Sequence, residues 1–171
     1  MEINVDSKKY GEHTIIIDDE DFEKVKEYKW HVSPQAKGRP LYAKTMIKKD
    51  GKIKIIKLHR LIMNFPSGYT IDHINNDSLD NRKENLRICT SRENSLNCIK
   101  RKTGTSVYKG VSFDKSRNKY ASSIMVNRKT VHLGRFETED QAAIAYNIAA
   151  VKYFGRFARP NDNIMMHKGF H

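Results

Sequence analysis

The stretch TIDHINNDSLDNRKENLRICTSRENSLN, residues 70–97, decides the fold, because two short apolar runs flank a polar loop and a helical segment follows them. Within it, one carboxylate, one imidazole and two carboxamides stand at Asp72, His73, Asn85 and Asn94. Neighbouring side chains on a strand point to opposite faces, so Asp72 and His73 can serve one phosphate only where the strand is twisted or ends. The Asn-Asn-Asp cluster at 75–77 is typical of such a break. We therefore interpret this stretch as the candidate active site.

Hydrolysis of a phosphodiester needs a base near neutral pH and a cation that offsets the charge on the phosphate. His73 meets the first need, since the unperturbed pKa of histidine is about 6.5. One carboxylate and one carboxamide oxygen make a hard site, which suits Mg²⁺ or Mn²⁺ better than Zn²⁺. The alternative is a surface loop whose Asp and Asn side chains cap their own backbone. Together with the downstream Asn94, the pattern favours a metal-dependent nuclease.

The spacing of these residues is specific. The Asp72-His73 pair is followed by Asn85 twelve residues later, within LDNRKENLR, and by Asn94 a further nine residues on, within SRENSLN. This pattern resembles that of the HNH endonucleases. The resemblance is to the phage intron-encoded homing type, whose motif ends in Asn (the HNN variant). It implies a ββα-metal fold in which Asp72 and Asn94 bind one Mg²⁺ or Mn²⁺ ion, His73 is the general base, and Asn85 pins the loop between the strands. The LHRL segment at 58–61 also resembles this family, in which such a segment often precedes the Asp-His pair. One interpretation therefore places His59 at the border of the active site, and the favoured one is a packed or surface histidine on a short helix.

Charge points to a polyanionic partner. The 171 residues carry a formal charge of +12, and residues 99–135 hold ten Lys or Arg against the single acid Asp114. We expect double-stranded DNA as the partner. RNA is less favoured, because the chain lacks clustered aromatic residues for base stacking. The mean hydropathy of −0.72 excludes a large core and predicts several small modules.

Two cysteines, Cys89 and Cys98, lack C-x-x-C spacing, which argues against structural zinc and for a reducing compartment. No signal peptide and no apolar run of about 20 residues is present. These features predict an intracellular protein with no membrane partner. The resemblance to phage homing endonucleases implies a bacterium or a phage-infected host and no small-molecule cofactor.

Local patterns predict a strand over 13–17, a helix over 20–28, and an extended segment from Trp30, which we expect to be a core anchor. Residues 41–58 predict a hairpin, with Asp50-Gly51 as its turn. Its second strand alternates lysines with isoleucines, and Lys52 and Lys54 are candidate DNA contacts. Two interpretations remain open: a β-ribbon along DNA, or a half-buried hairpin with a solvated basic face.

The helical segment 58–65 stops before a proline. Further on, the pattern of residues 86–89 predicts a second strand. Thr90 and Glu93 then form a capping-box pattern, which predicts the start of a helix that carries Asn94.

The C-terminal region predicts three strands, at 107–114, 119–127 and 129–136, and a helix from Thr138, with Gln141 at its third position, to Gly155. YKGV at 108–111, LGRF at 133–136, the helix 139–150 and Asn161 resemble the Apetala-two (ethylene-response-factor) DNA-binding domain. The resemblance implies that the sheet enters the major groove. The implied DNA contacts are Lys109, Arg117, Lys119, Arg128, Lys129 and Arg135. Ser112 replaces an arginine of the plant pattern, so the plant target sequence does not carry over.

Together these features predict an α+β protein of small modules. They are a DNA-contacting region (1–57), a nuclease core (58–98), a basic linker (99–106), an Apetala-two-like domain (107–161) and a tail without assigned function (162–171). In the linker, Lys100, Arg101 and Lys102 are expected to follow phosphates. The predicted activity is site-specific nicking of one DNA strand by a monomer. The main alternative is a non-catalytic, sequence-specific DNA-binding regulator.

Overall fold

The computed structural model describes residues 1–97, 104–162 and 164, and it is an α+β structure of small antiparallel sheets with short helices. The chain divides into two compact units, Met1–Asn94 and Ser95–His171, each of which is described by itself. None of the helices in the described part of the chain is long and apolar enough to cross a bilayer.

The first unit contains three antiparallel sheets, with strand orders β1-β2, β3-β4-β5 and β6-β7. The strands are β1 (Glu2–Ser7), β2 (Gly11–Ile16), β3 (His31–Pro34), β4 (Leu41–Lys49), β5 (Lys52–Lys57), β6 (Thr70–His73) and β7 (Leu86–Cys89). The α-helices are α1 (Phe22–Val25), α2 (Leu58–Ile62) and α3 (Ser91–Leu96), of which α3 crosses the boundary between the units. Buried aliphatic side chains from the strands and from α1 and α2 form one core, which includes Ile15, Ile17, Val25, Leu58 and Ile62.

The region predicted as one helix over 20–28 is shorter than expected. A 3-10 turn at Asp19–Asp21 leads into the four-residue α1, and the chain then turns back toward the core. The indole nitrogen of Trp30 donates to the carbonyl oxygen of Val25 at 3.0 Å, and the ring is only 8% exposed. Anchoring Trp30 in the core therefore ends the helix early, and the prediction of Trp30 as a core residue is confirmed.

The predicted hairpin is confirmed, with Lys49 opposite Lys52 and with Asp50 and Gly51 both at positive φ, as a type I′ turn requires. Its isoleucine face is not half-buried, however. Ile53 and Ile55 are 72% and 65% exposed, because only the inner end of the hairpin packs on the core.

The predicted strand β7 is confirmed at 86–89, and it pairs antiparallel with β6. The capping box at the start of α3 is also confirmed. The Thr90 hydroxyl accepts from the Glu93 amide at 3.2 Å, and the Glu93 carboxylate accepts from the Thr90 amide at 2.8 Å.

The second unit is a three-stranded antiparallel sheet, in the order β10-β9-β8, packed on one helix. Its elements are β8 (Val111–Asp114), β9 (Lys119–Val126), β10 (Lys129–Phe136) and α4 (Glu139–Phe154). The capping box of Thr138 and Gln141 is confirmed. Small buried alanines on α4, including Ala142 and Ala143, let the helix approach the sheet closely. The Asn161 side chain closes the unit, accepting from the Lys109 amide at 2.6 Å and donating to the Lys109 carbonyl oxygen at 3.1 Å.

Candidate active site

Asp72 lies on β6 directly opposite Arg87 on β7, so the two side chains share one face of this small sheet. The guanidinium donates to Asp72 Oδ2 from Nε at 2.8 Å and from Nη2 at 2.6 Å. The carboxylate is only 7% exposed. Arg87 therefore offsets the charge of a buried carboxylate and orients it.

His73 is the last residue of β6, and the strand breaks directly after it. The Asn76 amide donates to the His73 carbonyl oxygen at 3.0 Å, and Asn76 has φ of +65°. This is the break expected from the Asn-Asn-Asp cluster. The His73 ring is buried, and burial lowers its pKa, while the Asn81 hydrogen bond and the Asp72 carboxylate act in the opposite direction. Asp72 is thus electrostatically coupled to the imidazole although the two residues are neighbours on a strand.

The Asn81 carboxamide determines which nitrogen of His73 carries the proton. Asn81 is fully buried, and its Nδ2 donates to the Leu79 carbonyl oxygen at 2.9 Å, which leaves Oδ1 facing His73 Nε2 at 3.4 Å. An amide oxygen can only accept, so Nε2 must donate. In neutral His73 the basic lone pair is therefore on Nδ1.

Two further rings enclose His73. The His59 ring from α2 meets it edge-on with centroids 5.1 Å apart, and the Tyr42 ring from β4 lies 6.0 Å away. His59 is buried, as the packed alternative for this residue predicted, but it packs against the candidate base itself. Burial, followed by the neighbouring His73, Lys57 and Arg60, lowers the pKa of His59 to about 3.

The buried His59 makes the stability of the first unit depend on pH. In the unfolded chain this ring binds a proton near pH 6.5, whereas in the folded protein it stays neutral down to about pH 3. Between these values the unfolded state binds more protons, so each pH unit downward lowers the free energy of unfolding by up to about 1.4 kcal/mol. We expect His59→Gln to reduce the loss between pH 7 and pH 5, with part of the loss remaining because burial also lowers the pKa of His73. Urea unfolding followed by Trp30 fluorescence measures it.

The exposed His132 provides the control, because His132→Gln should retain the pH dependence of the wild-type protein. A His59→Gln variant whose unfolding free energy falls as steeply as that of the wild type would contradict a buried neutral imidazole.

Asn85 holds both sides of the loop between β6 and β7. Its Oδ1 accepts from the Asn75 amide at 3.0 Å, and its Nδ2 donates to the Asp80 carbonyl oxygen at 2.8 Å. The Asp80 carboxylate accepts from Arg82 Nε at 2.9 Å and from Asn75 Nδ2 at 3.0 Å. These bonds tie the loop to itself, so the end of β6 is supported from within the loop.

Asn94, the second candidate metal ligand, lies on α3 and is half-buried; among the described residues, none forms a hydrogen bond with its side chain. The described part of the chain holds no group of three or more His, Cys, Asp or Glu side chains arranged for a metal. One carboxylate and one carboxamide oxygen fit a Mg²⁺-type cation, which keeps several waters and takes further oxygens from substrate phosphate.

The candidate DNA-binding residues lie in different environments. Lys52 and Lys54 are exposed on the hairpin, while Lys100, Arg101 and Lys102 lie outside the described residues. In the second unit, Arg128 and Lys129 are exposed at a hairpin turn. The remaining cations are engaged: Arg117 and Arg135 pair with Asp114 at 3.3 and 3.1 Å, Lys119 pairs with Glu137 at 2.8 Å, and Lys109 Nζ donates to the Leu96 carbonyl oxygen at 2.8 Å.

Sequence reasoning missed three residues at the site, Tyr42, Asn81 and Arg87, and it ranked His59 as a packed or surface residue above its place beside the base. Only Arg87 left a usable signal, because pairing the predicted strands on either side of the loop places it opposite Asp72. Tyr42 comes from a strand about thirty residues upstream, and no local pattern links it to His73.

Comparison with known proteins points to the same segment. A family model described as HNH endonuclease matches residues 57–96. An uncharacterized HNH endonuclease of Acanthamoeba polyphaga mimivirus is 36% identical over 143 residues, covering 80% of this chain and 68% of the relative. Protein 3.8 of Escherichia phage T7 is 32% identical over 94 residues, covering 55% and 77%. An AP2-like ethylene-responsive transcription factor of Arabidopsis thaliana is 28% identical over 151 residues, covering 79% of this chain and 40% of the plant protein.

Proposed function

The chain belongs to the HNH endonuclease family, and from this premise we propose that it is a site-specific, homing-type endonuclease that nicks one strand of double-stranded DNA. The observation that carries the proposal is the surroundings of His73: a buried imidazole with a defined tautomer, at the end of a strand, beside an oriented carboxylate. That arrangement suits a general base positioned against a phosphodiester.

In the proposed reaction, His73 Nδ1 takes the proton from the attacking water. Asn81 keeps the ring in the tautomer that leaves this nitrogen basic, and burial keeps the imidazole neutral and ready to accept a proton. Asp72 lies close enough to stabilise the imidazolium that forms, since its charge raises the pKa of His73. Asn85 and the loop it holds keep the end of β6 in place.

Asp72 and Asn94 would hold one Mg²⁺ or Mn²⁺ ion on the ββα-metal core formed by β6, β7 and α3. When bound, the ion supplies positive charge against the scissile phosphate and the departing oxygen. The family resemblance implies 5′-phosphate and 3′-hydroxyl products. One active site in each chain makes a nick the expected product of a monomer.

The hairpin and the Apetala-two-like second unit would hold the duplex, with arginines reading guanine edges and lysines holding phosphates. A purely DNA-binding regulator is the rival function. A regulator of this kind accounts for the basic residues. It does not account for the buried imidazole of His73, whose tautomer is set by the Asn81 carboxamide. The nuclease is therefore the better-supported proposal.

The test is nicking of supercoiled plasmid. We expect open-circular DNA with Mg²⁺ or Mn²⁺ and none with EDTA. Asn94→Ala should raise the metal concentration for half-maximal nicking at least tenfold, because about 1.4 kcal/mol of lost metal affinity has that effect. Since no described residue hydrogen-bonds the Asn94 side chain, the variant should fold normally.

Asn4→Ala is the matched control, because the Asn4 side chain makes an exposed hydrogen bond to Thr14. Its metal requirement should equal that of the wild type. Specific DNA binding without nicking under any divalent cation would instead establish the regulator.

A further inference from the structure

The hairpin formed by β4 and β5 has two different faces. Residues directly opposite in an antiparallel pair share a face, so Met46 and Ile55 lie together, as do Lys48 and Ile53. Alternate residues along β4 extend this face back to Tyr42. The opposite face carries the buried Thr45, whose cross-strand partner packs against the core.

We call the first surface the site face. Its members are Tyr42, Lys44, Met46, Lys48, Ile53, Ile55 and Lys57. At its inner end the centroid of the Tyr42 ring lies 6.0 Å from that of the His73 ring, so this face begins beside the candidate active site. At its outer end Met46, Ile53 and Ile55 are 60%, 72% and 65% exposed. Three large apolar side chains grouped on one face of a ribbon mark an interaction surface.

Charge identifies the partner class. The hairpin carries six lysines, at positions 44, 48, 49, 52, 54 and 57, and within the described residues none of the six forms a salt bridge. Burial, together with the neighbouring cations Lys44 and Arg60, lowers the pKa of Lys57. Positive charge without carboxylate partners favours a polyanion over a second copy of this chain, whose hairpin would bring the same six lysines.

From this arrangement we infer that the site face lies in the major groove of the DNA, where Met46, Ile53 and Ile55 contact thymine methyl groups. The inference rests on the proposed function and adds to it the groove that the hairpin enters and the base that it recognises. Two strands lie about 4.8 Å apart, so with side chains a ribbon fits the major groove, about 12 Å wide, and not the minor groove, about 6 Å wide. Lys52 and Lys54, on the opposite face, then meet the flanking phosphates.

The length of the hairpin agrees with this placement. Six residues separate Tyr42 from Lys48, which is about 20 Å along an extended strand. Half a turn of B-DNA is about 17 Å, and over that distance one side of the duplex changes from minor to major groove. A nuclease core over the minor groove at the cut would therefore place the apolar tip in the major groove about five to six base pairs away.

Thymine is distinguished from the other bases in the major groove by its C5-methyl group, and apolar side chains read it without hydrogen bonds. Deoxyuridine pairs like thymidine but lacks that methyl. Each methyl contact contributes roughly fourfold in affinity, so two contacts predict a preference of about tenfold or more for thymine-containing DNA.

The experiment compares duplexes of the same sequence made with thymidine or with deoxyuridine throughout. The target is obtained by binding selection and footprinting, which need no cleavage. The wild-type protein should bind the thymidine duplex about tenfold more tightly or better. Ile53→Ser/Ile55→Ser should bring the ratio close to one. Both side chains are exposed, so the fold should persist.

The matched control is Ile148→Ser/Val151→Ser on α4, which removes two similarly exposed aliphatic side chains, 67% and 56% exposed, and should retain the preference. Equal wild-type affinity for both duplexes, or a preference that survives in the hairpin variant, overturns the inference. So does a wild-type dimer that the hairpin variant converts to monomer. A thymine preference without metal-dependent nicking would instead overturn the proposed nuclease and leave the hairpin contact standing.

Discussion

Replacing His73 by alanine is expected to lower the single-turnover nicking rate by about 10²- to 10⁴-fold, the usual contribution of a general base. The variant loses the buried imidazole whose Nδ1 is left basic by the hydrogen bond between Nε2 and Asn81. The rate should be measured on supercoiled plasmid at saturating Mg²⁺, with enzyme in excess over DNA. DNA affinity, measured by gel shift, should change little, since the phosphate contacts in the proposed complex are made by lysines and arginines and not by His73.

The control for this variant is His13→Ala. His13 is another histidine of the first unit, and its ring Nε2 bonds the Tyr10 carbonyl oxygen at 2.9 Å on the β1-β2 sheet. This variant should nick at the wild-type rate. Trp30 fluorescence should show that both proteins remain folded. Equal nicking by His73→Ala and the wild-type protein would remove His73 from the reaction and leave the base unassigned.

Replacing Gly110 by alanine is expected to destabilise the second unit by at least about 3 kcal/mol. A Cβ there would lie 2.0 Å from Tyr146 Cδ2 and 2.7 Å from the Ser123 carbonyl oxygen, and Gly110 has φ of +77°. The Tyr146 ring cannot easily move, because it is 4% exposed in the core with Ile124. The loss should lower the thermal transition of α4, followed by far-UV circular dichroism, by more than about 10 °C.

Gly38→Ala separates steric overlap from backbone strain. Gly38 has nearly the same φ, +74°, but nothing lies within 4 Å of the added Cβ, so this variant should lose only about 1–2 kcal/mol. Trp30, the only tryptophan, belongs to the first unit, so its unfolding transition should not change in Gly110→Ala. A Gly110→Ala protein as stable as the wild type would show that the close approach of Tyr146 is not maintained in solution.

Most of the secondary structure could be predicted from the sequence, and the predictions that held depend on neighbouring residues. Asp50-Gly51 produced the expected turn, and both capping boxes formed as the patterns at Thr90 and Thr138 indicated. The helix predicted over 20–28 failed, since the packing of Trp30 outweighed helical propensity there.

The candidate site was predictable only in part. The positions of Asp72, His73, Asn85 and Asn94 came from motif spacing, whereas the side chains that orient Asp72 and His73 came from the fold. Tyr42 and His59 reach His73 across gaps of 31 and 14 residues in the chain, which carry no periodic signal. The hairpin illustrates the same limit, because alternation predicted two faces but not which of them would be left exposed.

By itself the sequence determined the short elements, their turns and caps, and the order of the polar side chains that mark the site. These depend on interactions within a few residues, whose geometry the backbone dictates. Only the tertiary structure decided that Asn81 would select the tautomer of His73, that the Tyr42 and His59 rings would enclose it, and that the isoleucines of the hairpin would face solvent. Those outcomes depend on which surfaces distant segments bury against each other, and burial is a property of the packed chain.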